Sequence, residues 1–178
     1  MRKSILPLSR VYGLLEPGPV VLLTTKSGRK ANVMTMSWHM MIDFEPPLVG
    51  CVVSERDYSF KALRTSRQCV INIPTVELAA AVVGCGNTSG RDEDKFADFG
   101  LTPAKASRVR PPLIEECYAN LECRVVDARL VTRYNLFILE VVRAWHDRSV
   151  TRPKTLHHLG YGTFMVAGRR LSLPSRMR

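Results

Sequence analysis

The sequence predicts a mainly β chain: an antiparallel sheet closed on itself and carrying two or three short helices. Three observations predict it. Apolar and β-branched runs of strand length recur from PVVLLTTK (19–26) to YNLFILEVVRAWHD (134–147). Most of these runs are joined by short turn segments, as in hairpins. Alternating βαβ units are absent, which argues against a doubly wound dinucleotide fold.

The elements follow in chain order. PVVLLTTK is a strand, SGRK (27–30) a turn, and KANVMTMSWHMM (30–41) the returning strand. In that strand Asn32, Met34, Met36, Trp38 and Met40 share one face, while Val33, Thr35, Ser37, His39 and Met41 share the other. Four of the seven methionines lie here, so one face is wide and soft while the other carries hydroxyls and a histidine. Periodicity leaves two readings open, a core strand with a wet back or the wall of a pocket. DFEPP (43–47) is expected to break the strand, because prolines cannot continue a central ladder. LVGCVVS (48–54) reads as a strand buried on both sides.

SFKALRTS (59–66) has helical spacing with Ser59 as N-cap. QCVINIP (68–74) is a strand stopped by Pro74. Thr75 then caps a helix, VELAAAVVG, ending at Gly84. NTSGRDEDKFADFGL (87–101) begins as a loop, with a short acidic helix over Asp92–Phe99. Residues 103–113 read as an extended surface connection. ANLECRVVDARLVT and YNLFILEVVRAWHD form a second hairpin about the corner Arg133-Tyr134-Asn135, and SVTRPKTLHHLGYGTFMVAG closes with short strands and glycine turns. The count is six or seven strands in one domain over 1–178, with a basic tail at about 169–178.

Composition narrows the function. No apolar run reaches the roughly 18–20 residues that span a bilayer, and the start, MRKSILPLSRVYG, lacks a signal-peptide core, so a cytoplasmic location is expected and no membrane partner. The five cysteines (Cys51, Cys69, Cys85, Cys117, Cys123) form no C-x-x-C and sit mostly in apolar runs. They read as small buried hydrophobes, and no metal site is expected. The net charge of +10 raises nucleic acid as a partner, but the arginines are scattered and no recognition motif accompanies them, so none is expected. An anionic cofactor or substrate suits the same balance. No Walker or Rossmann phosphate loop and no G-x-S-x-G is present, and GCGNTSG (84–90) fits neither phosphate-loop spacing.

One constellation carries chemistry. Thr35, Ser37, Ser54, Ser59 and Ser89 fall at strand ends and loops, with Arg56, Arg91 and Lys95 near them in sequence. Hydroxyls, helix-start N–H groups and cations are what a phosphate monoester needs. Trp38 and the methionines offer a flat apolar wall for a ring.

The segments NVMTMSWHMM, DFEPPLVGCVVSERDYSF, VINIP, SGRDEDKFADFGLTP and GYGTFMVAG, taken together and in order, resemble the flavin reductase-like FMN-binding split barrels, in particular the flavoredoxin-like subgroup. The resemblance runs from about Pro19 to Gly168 and is most specific where S-G-R-D-x-D-K-F (89–96) joins N-V-M-T-x-x-W (32–38). It implies a six-stranded antiparallel Greek-key split barrel that holds FMN noncovalently, and a homodimer with the flavin near the subunit interface. It places Asn32, Thr35, Met36, Ser37 and Trp38 beside the isoalloxazine ring. Ser54, Tyr58 and Ser59 match the corner that receives the phosphate. Ser89, Gly90, Arg91 and Lys95 match the loop that closes over the cofactor, and Gly160, Tyr161 and Gly162 a C-terminal turn near the site. Some relatives carry a basic residue at the Ser54 position, where Arg56 stands in here, and His39 replaces a small residue after the tryptophan. The implied activity is hydride transfer from NADH or NADPH to FMN, with no side-chain acid, base or nucleophile. The alternative is an electron-transfer flavoprotein, with a redox partner protein in place of nicotinamide.

Overall fold

The computed structural model describes residues 3–11 and 18–174. Its strands are β1 (Lys3–Leu6), β2 (Val21–Ser27), β3 (Lys30–Met36), β4 (His39–Phe44), β5 (Pro47–Val52), β6 (Gln68–Ile73), β7 (Pro103–Ala104), β8 (Leu113–Ile114), β9 (Ala119–Asp127), β10 (Leu136–Asp147), β11 (Leu156–Gly160) and β12 (Thr163–Val166). The α-helices are α1 (Tyr58–Ser66), α2 (Ala79–Asn87), α3 (Lys95–Asp98) and α4 (Val131–Tyr134). Of the expected basic tail, residues 169–174 are exposed and without regular structure, and 175–178 lie outside the described residues, as do residues 1–2 and 12–13 of the opening segment.

The main sheet runs β3-β2-β6-β9-β10-β5-β4, with β1 added to β10, all antiparallel. β10 is long enough to serve two partners along one edge: Leu136–Glu140 pairs with β5, and Ala144–Asp147 with β1. The two ends of the sheet, β3 and β4, are consecutive in sequence and joined only by Ser37 and Trp38. The sheet must therefore curl until its ends meet. Among the described residues no ladder joins β3 to β4, so the barrel closes through the chain and stays split at this seam. The main sheet holds eight strands, more than the six or seven expected. One of the additions is β1, whose Lys3 Nζ donates to the Ile114 carbonyl at 2.8 Å and to Asn120 Oδ1.

The strand alternation produces two cores. Val21 and Leu23 of β2 point into the barrel with Met36, Cys51, Ile71, Leu121, Phe137 and Leu139. Leu22 points out, where Val33, Val82, Cys85, Phe96 and Leu156 pack under α2 and α3. Each such fully buried aliphatic or aromatic side chain contributes roughly 1.5–3 kcal/mol. All five cysteines are buried in these cores, as expected. Burial raises the Cys51 and Cys117 thiols well above the ordinary range, and Cys85 to about 11.

Several expectations are corrected. KANVMTMSWHMM is two strands: the chain leaves β3 at Ser37, where it passes from one end of the sheet to the other. DFEPP does not end pairing but forms the β4–β5 hairpin, with Phe44 opposite Pro47 and a two-residue turn containing the cis Glu45–Pro46 bond. Proline fits there because a turn and a strand's first position need no ladder donor. Asp57, not Ser59, is the residue before α1; Ser59 lies inside the helix and is buried. Thr75 precedes a 3-10 turn (Val76–Leu78), and α2 then runs past Gly84 to Asn87; Gly84 serves inside the helix to admit the Phe99 ring, since a Cβ there would stand 2.3 Å from Cε1. The acidic helix shrinks to the four residues of α3, capped by Asp94.

Candidate functional site

At the seam, a cleft of about 570 Å³ opens between the end of β3, the link Ser37-Trp38, the residues after β5 and the corner at α4. Met34, Ser37 and Trp38 form one wall, and Arg133, Tyr134 and Asn135 the other. Trp38 is 72% exposed, so its indole is a free apolar surface at the mouth rather than part of the core. Met36 is buried and belongs to the floor.

A smaller polar cavity of about 150 Å³ adjoins this cleft, sharing Met34, Thr35 and Asp57 with it. Asn32, Arg56, Tyr58, Ser59, Ser89 and Lys95 line it. Ser59 Oγ accepts from Asn32 Nδ2 at 2.8 Å and from Thr25 Oγ1 at 3.2 Å. Both of its lone pairs are used, so its hydroxyl proton is what remains to donate. Tyr58 and Ser59 begin α1, whose first N–H groups have no partner within the helix. Asp57 turns its carboxylate back to the Ser54 N–H at 3.0 Å instead of capping α1, and Ser54 Oγ accepts from the Arg56 N–H at 3.2 Å.

Lys95 is the dominant charge. It is buried, 4% exposed, and its Nζ donates to the Cys85 carbonyl at 2.7 Å. Among the described residues no carboxylate pairs with it. Burial lowers its pKa from the ordinary lysine range, against the opposing pull of Cys85, Glu93 and Asp57. An ammonium held in this way, with two protons left over, suits an anion.

The loop at Ser89–Asp94 covers this cavity. Ser89 Oγ accepts from the Arg91 N–H, and Lys30 donates to the Arg91 carbonyl at 3.3 Å while lying over the Tyr58 ring. Gly90 is pressed on Asn32: a Cβ there would fall 1.8 Å from Oδ1. A third cavity, of about 240 Å³, shares Thr35 and Ser37 and is lined by Val82, His158, Gly162 and Phe164; of the expected turn residues it takes Gly162, while Gly160 and the fully exposed Tyr161 do not line it.

Thus the fold gathers eleven of the twelve expected site residues: Asn32, Thr35, Met36, Ser37, Trp38, Ser54, Tyr58, Ser59, Ser89 and Lys95 line the cavities, and Gly90 packs on Asn32. Arg91 is brought near through its backbone; its exposed side chain does not line the polar cavity, where Arg56 does. His39 does not line these cavities: its Nε2 lies 2.7 Å from the Pro19 carbonyl, fixing the start of β4 to the start of β2. Sequence reasoning missed Asp57, Cys85, Gly86 and Thr88, which have no motif of their own. It also read Arg133-Tyr134-Asn135 as a corner only, although an arginine and a tyrosine at a strand corner were a usable signal.

Comparison with known proteins places this geometry. The family model described as "Flavin reductase like domain" matches residues 14–164. The uncharacterized protein YddH of Escherichia coli (strain K12) is 35% identical over 173 residues, covering 89% of this chain and 92% of its own. The FMN-binding domain of a flavin reductases-like enzyme from Shewanella baltica OS155 superposes with a TM-score of 0.92 at 27% identity, over 97% of this chain and 98% of that one. The flavoredoxin of Desulfovibrio vulgaris (Miyazaki F) shares the fold with a TM-score of 0.81 at 22% identity, over 88% and 90% of the two chains.

Proposed function

The chain belongs to the flavin reductase like domain family, and on that premise we propose that it binds FMN and takes reducing equivalents from NADH or NADPH. The observation that carries the FMN reading is Lys95. A buried ammonium with two uncommitted protons, beside the Ser59 hydroxyl and the first N–H groups of α1, makes a donor set for a phosphate monoester. The polar cavity opens into the cleft at Thr35 and Asp57, and that cleft has the size and apolar wall to take a fused ring system. The residues present fit the group.

FMN supplies the redox chemistry when bound. The chain's own part is placement. Lys95, Ser59 and Arg56 hold the phosphate end. Thr35, Met34 and Ser37 line the path of the ring. Trp38 and Arg133 stand at the mouth, where they set access for a second planar molecule.

A second copy of the chain is the partner we assign to β4. This edge strand presents Met40, Ile42 and Phe44 as exposed apolar side chains, with Trp38 directly before it. Sedimentation equilibrium is expected to give a dimer, and Ile42→Lys a monomer; a monomeric wild-type protein removes this assignment.

The main test is the visible spectrum of the purified protein and of protein titrated with FMN. Flavin bands shifted from those of free FMN are expected, and a protein that ignores added FMN sinks the reading. Stopped-flow mixing with NADH and with NADPH then tests the donor: one of them is expected to bleach bound flavin faster than it bleaches free FMN.

A further inference from the structure

We propose that a strip of arginines leading away from the cleft is the docking surface for an acidic protein partner. It begins at Arg133 on the wall of the cleft and continues to Arg129, four residues back across the turn into α4. From there the fold adds residues distant in sequence. Arg67, just past the end of α1, donates to the Val125 carbonyl at 3.0 Å. Gln68 pairs with Arg124 across β6 and β9, and its side chain accepts from the Arg110 N–H at 2.9 Å. Arg124 in turn donates to the Arg108 carbonyl at 3.3 Å.

These six arginines are all exposed; Asp127 and Glu140 stand among them at the surface, Glu122 lies buried under Arg108, and Asp57 lines the cleft with Arg133. Asp127 is taken by Arg129 at 2.6 Å, and Glu140 faces Arg124 across the ladder without an ion pair. Among the described residues the other five arginines make no ion pair, on a chain of net charge +10. It is also rigid. Buried Glu122 accepts from the Ser107 and Arg108 N–H groups, which fixes the backbone that carries Arg108 and Arg110. A preformed basic surface saves the ordering cost of binding and steers an anionic partner in.

An acidic protein is favoured over the other occupants. Two copies of this chain meeting on the same patch would oppose like charges, whereas the apolar edge of β4 lies three strands away from β9 in the sheet order. Nucleic acid recognition wants aromatic platforms within the basic track, and the strip carries one exposed ring, Tyr134, at its cleft end. A partner seated here abuts the cleft, so it stands next to the group that the cleft holds. The purpose of the contact rests on the flavin reading; the contact itself does not, and it is tested by binding alone.

The test is calorimetric titration of the full chain with an acidic plant-type [2Fe–2S] ferredoxin as the probe. Binding is expected at about 20 mM salt and at least about tenfold weaker near 200 mM. The triple variant Arg108→Glu/Arg110→Glu/Arg124→Glu is expected to lose at least about tenfold at low salt, while Arg148→Glu, an exposed change off the strip, loses less than about twofold. If the triple variant fails to fold by near-UV circular dichroism, Arg110→Gln/Arg124→Gln carries the same expectation with a smaller loss. No binding at low salt, indifference to salt, or wild-type affinity in the strip variants overturns the proposal. So does displacement of the ferredoxin by an equimolar single-stranded oligonucleotide, which would make the strip a nucleic-acid track.

Discussion

Gly90 and Asn32 meet so closely that a Cβ on the glycine would lie 1.8 Å from the Asn32 amide oxygen and 2.6 Å from its Cγ. Asn32 cannot yield freely, because its Nδ2 is committed to Ser59 Oγ. The pair therefore clamps the covering loop onto the polar cavity. Gly90→Ala is expected to lift the loop or break the Asn32–Ser59 bond, at about 1–3 kcal/mol, and so to weaken FMN about tenfold or more. Flavin fluorescence titration measures it; an unchanged dissociation constant would sink the clamp.

Lys95→Met removes the buried cation while keeping an unbranched side chain of similar length. FMN affinity is expected to fall at least about tenfold, from loss of a charge-assisted bond, with riboflavin affinity moved far less. Equal losses for the two flavins would count against a phosphate contact. Because burial lowers the Lys95 pKa, the ammonium is lost at a lower pH than an exposed lysine's. FMN affinity should decline as pH rises through that lowered value, and the Lys95→Met variant should lack the decline.

His39 gives a pH signature of stability. Burial lowers its pKa, against the bond to the Pro19 carbonyl, so the unfolded chain binds the proton more readily. Stability should rise with pH across the window from the lowered folded value up to about 6.5, and be lost as pH falls through it. His39→Gln is expected to flatten the melting temperature across that window. A slope identical to wild type would place the titration elsewhere.

Glu122 is fully buried and accepts from Trp145 Nε1, the Ser107 N–H and hydroxyl, and the Arg108 N–H. Burial pushes its pKa up, but those hydrogen bonds outweigh it and hold the carboxyl below the ordinary glutamate value. Glu122→Gln replaces an acceptor with a donor that faces other donors, and should cost about 2 kcal/mol. Denaturant unfolding followed by Trp145 fluorescence measures the loss; a change within about 0.5 kcal/mol would mean the segment is held by its apolar contacts instead.

Much of the site was legible as chemistry before it was legible as a place. The hydroxyls of Ser54, Ser59 and Ser89 and the Lys95 cation signal an anion because few other ligands need them together; the fold gathers Ser59, Ser89 and Lys95 in the polar cavity and sets Ser54 in the adjoining cleft. Arg91 shows the limit. In sequence it is the evident loop cation, yet of these two exposed arginines it is Arg56 that lines the cavity, because local backbone turns decide which of them borders it. Asp57 was invisible: one carboxylate among many acquires meaning only when its neighbours are known.

By itself the sequence determined the mainly β class, the apolar runs that became β2, β5, β6, β9 and β10, and the burial of all five cysteines, since these depend on period and composition. The tertiary structure alone decided that KANVMTMSWHMM breaks at Ser37-Trp38. No local rule breaks it there. The break exists because β3 and β4 are the two ends of one curled sheet, and a chain that must pass from one end to the other leaves a seam. The candidate site is built on that seam.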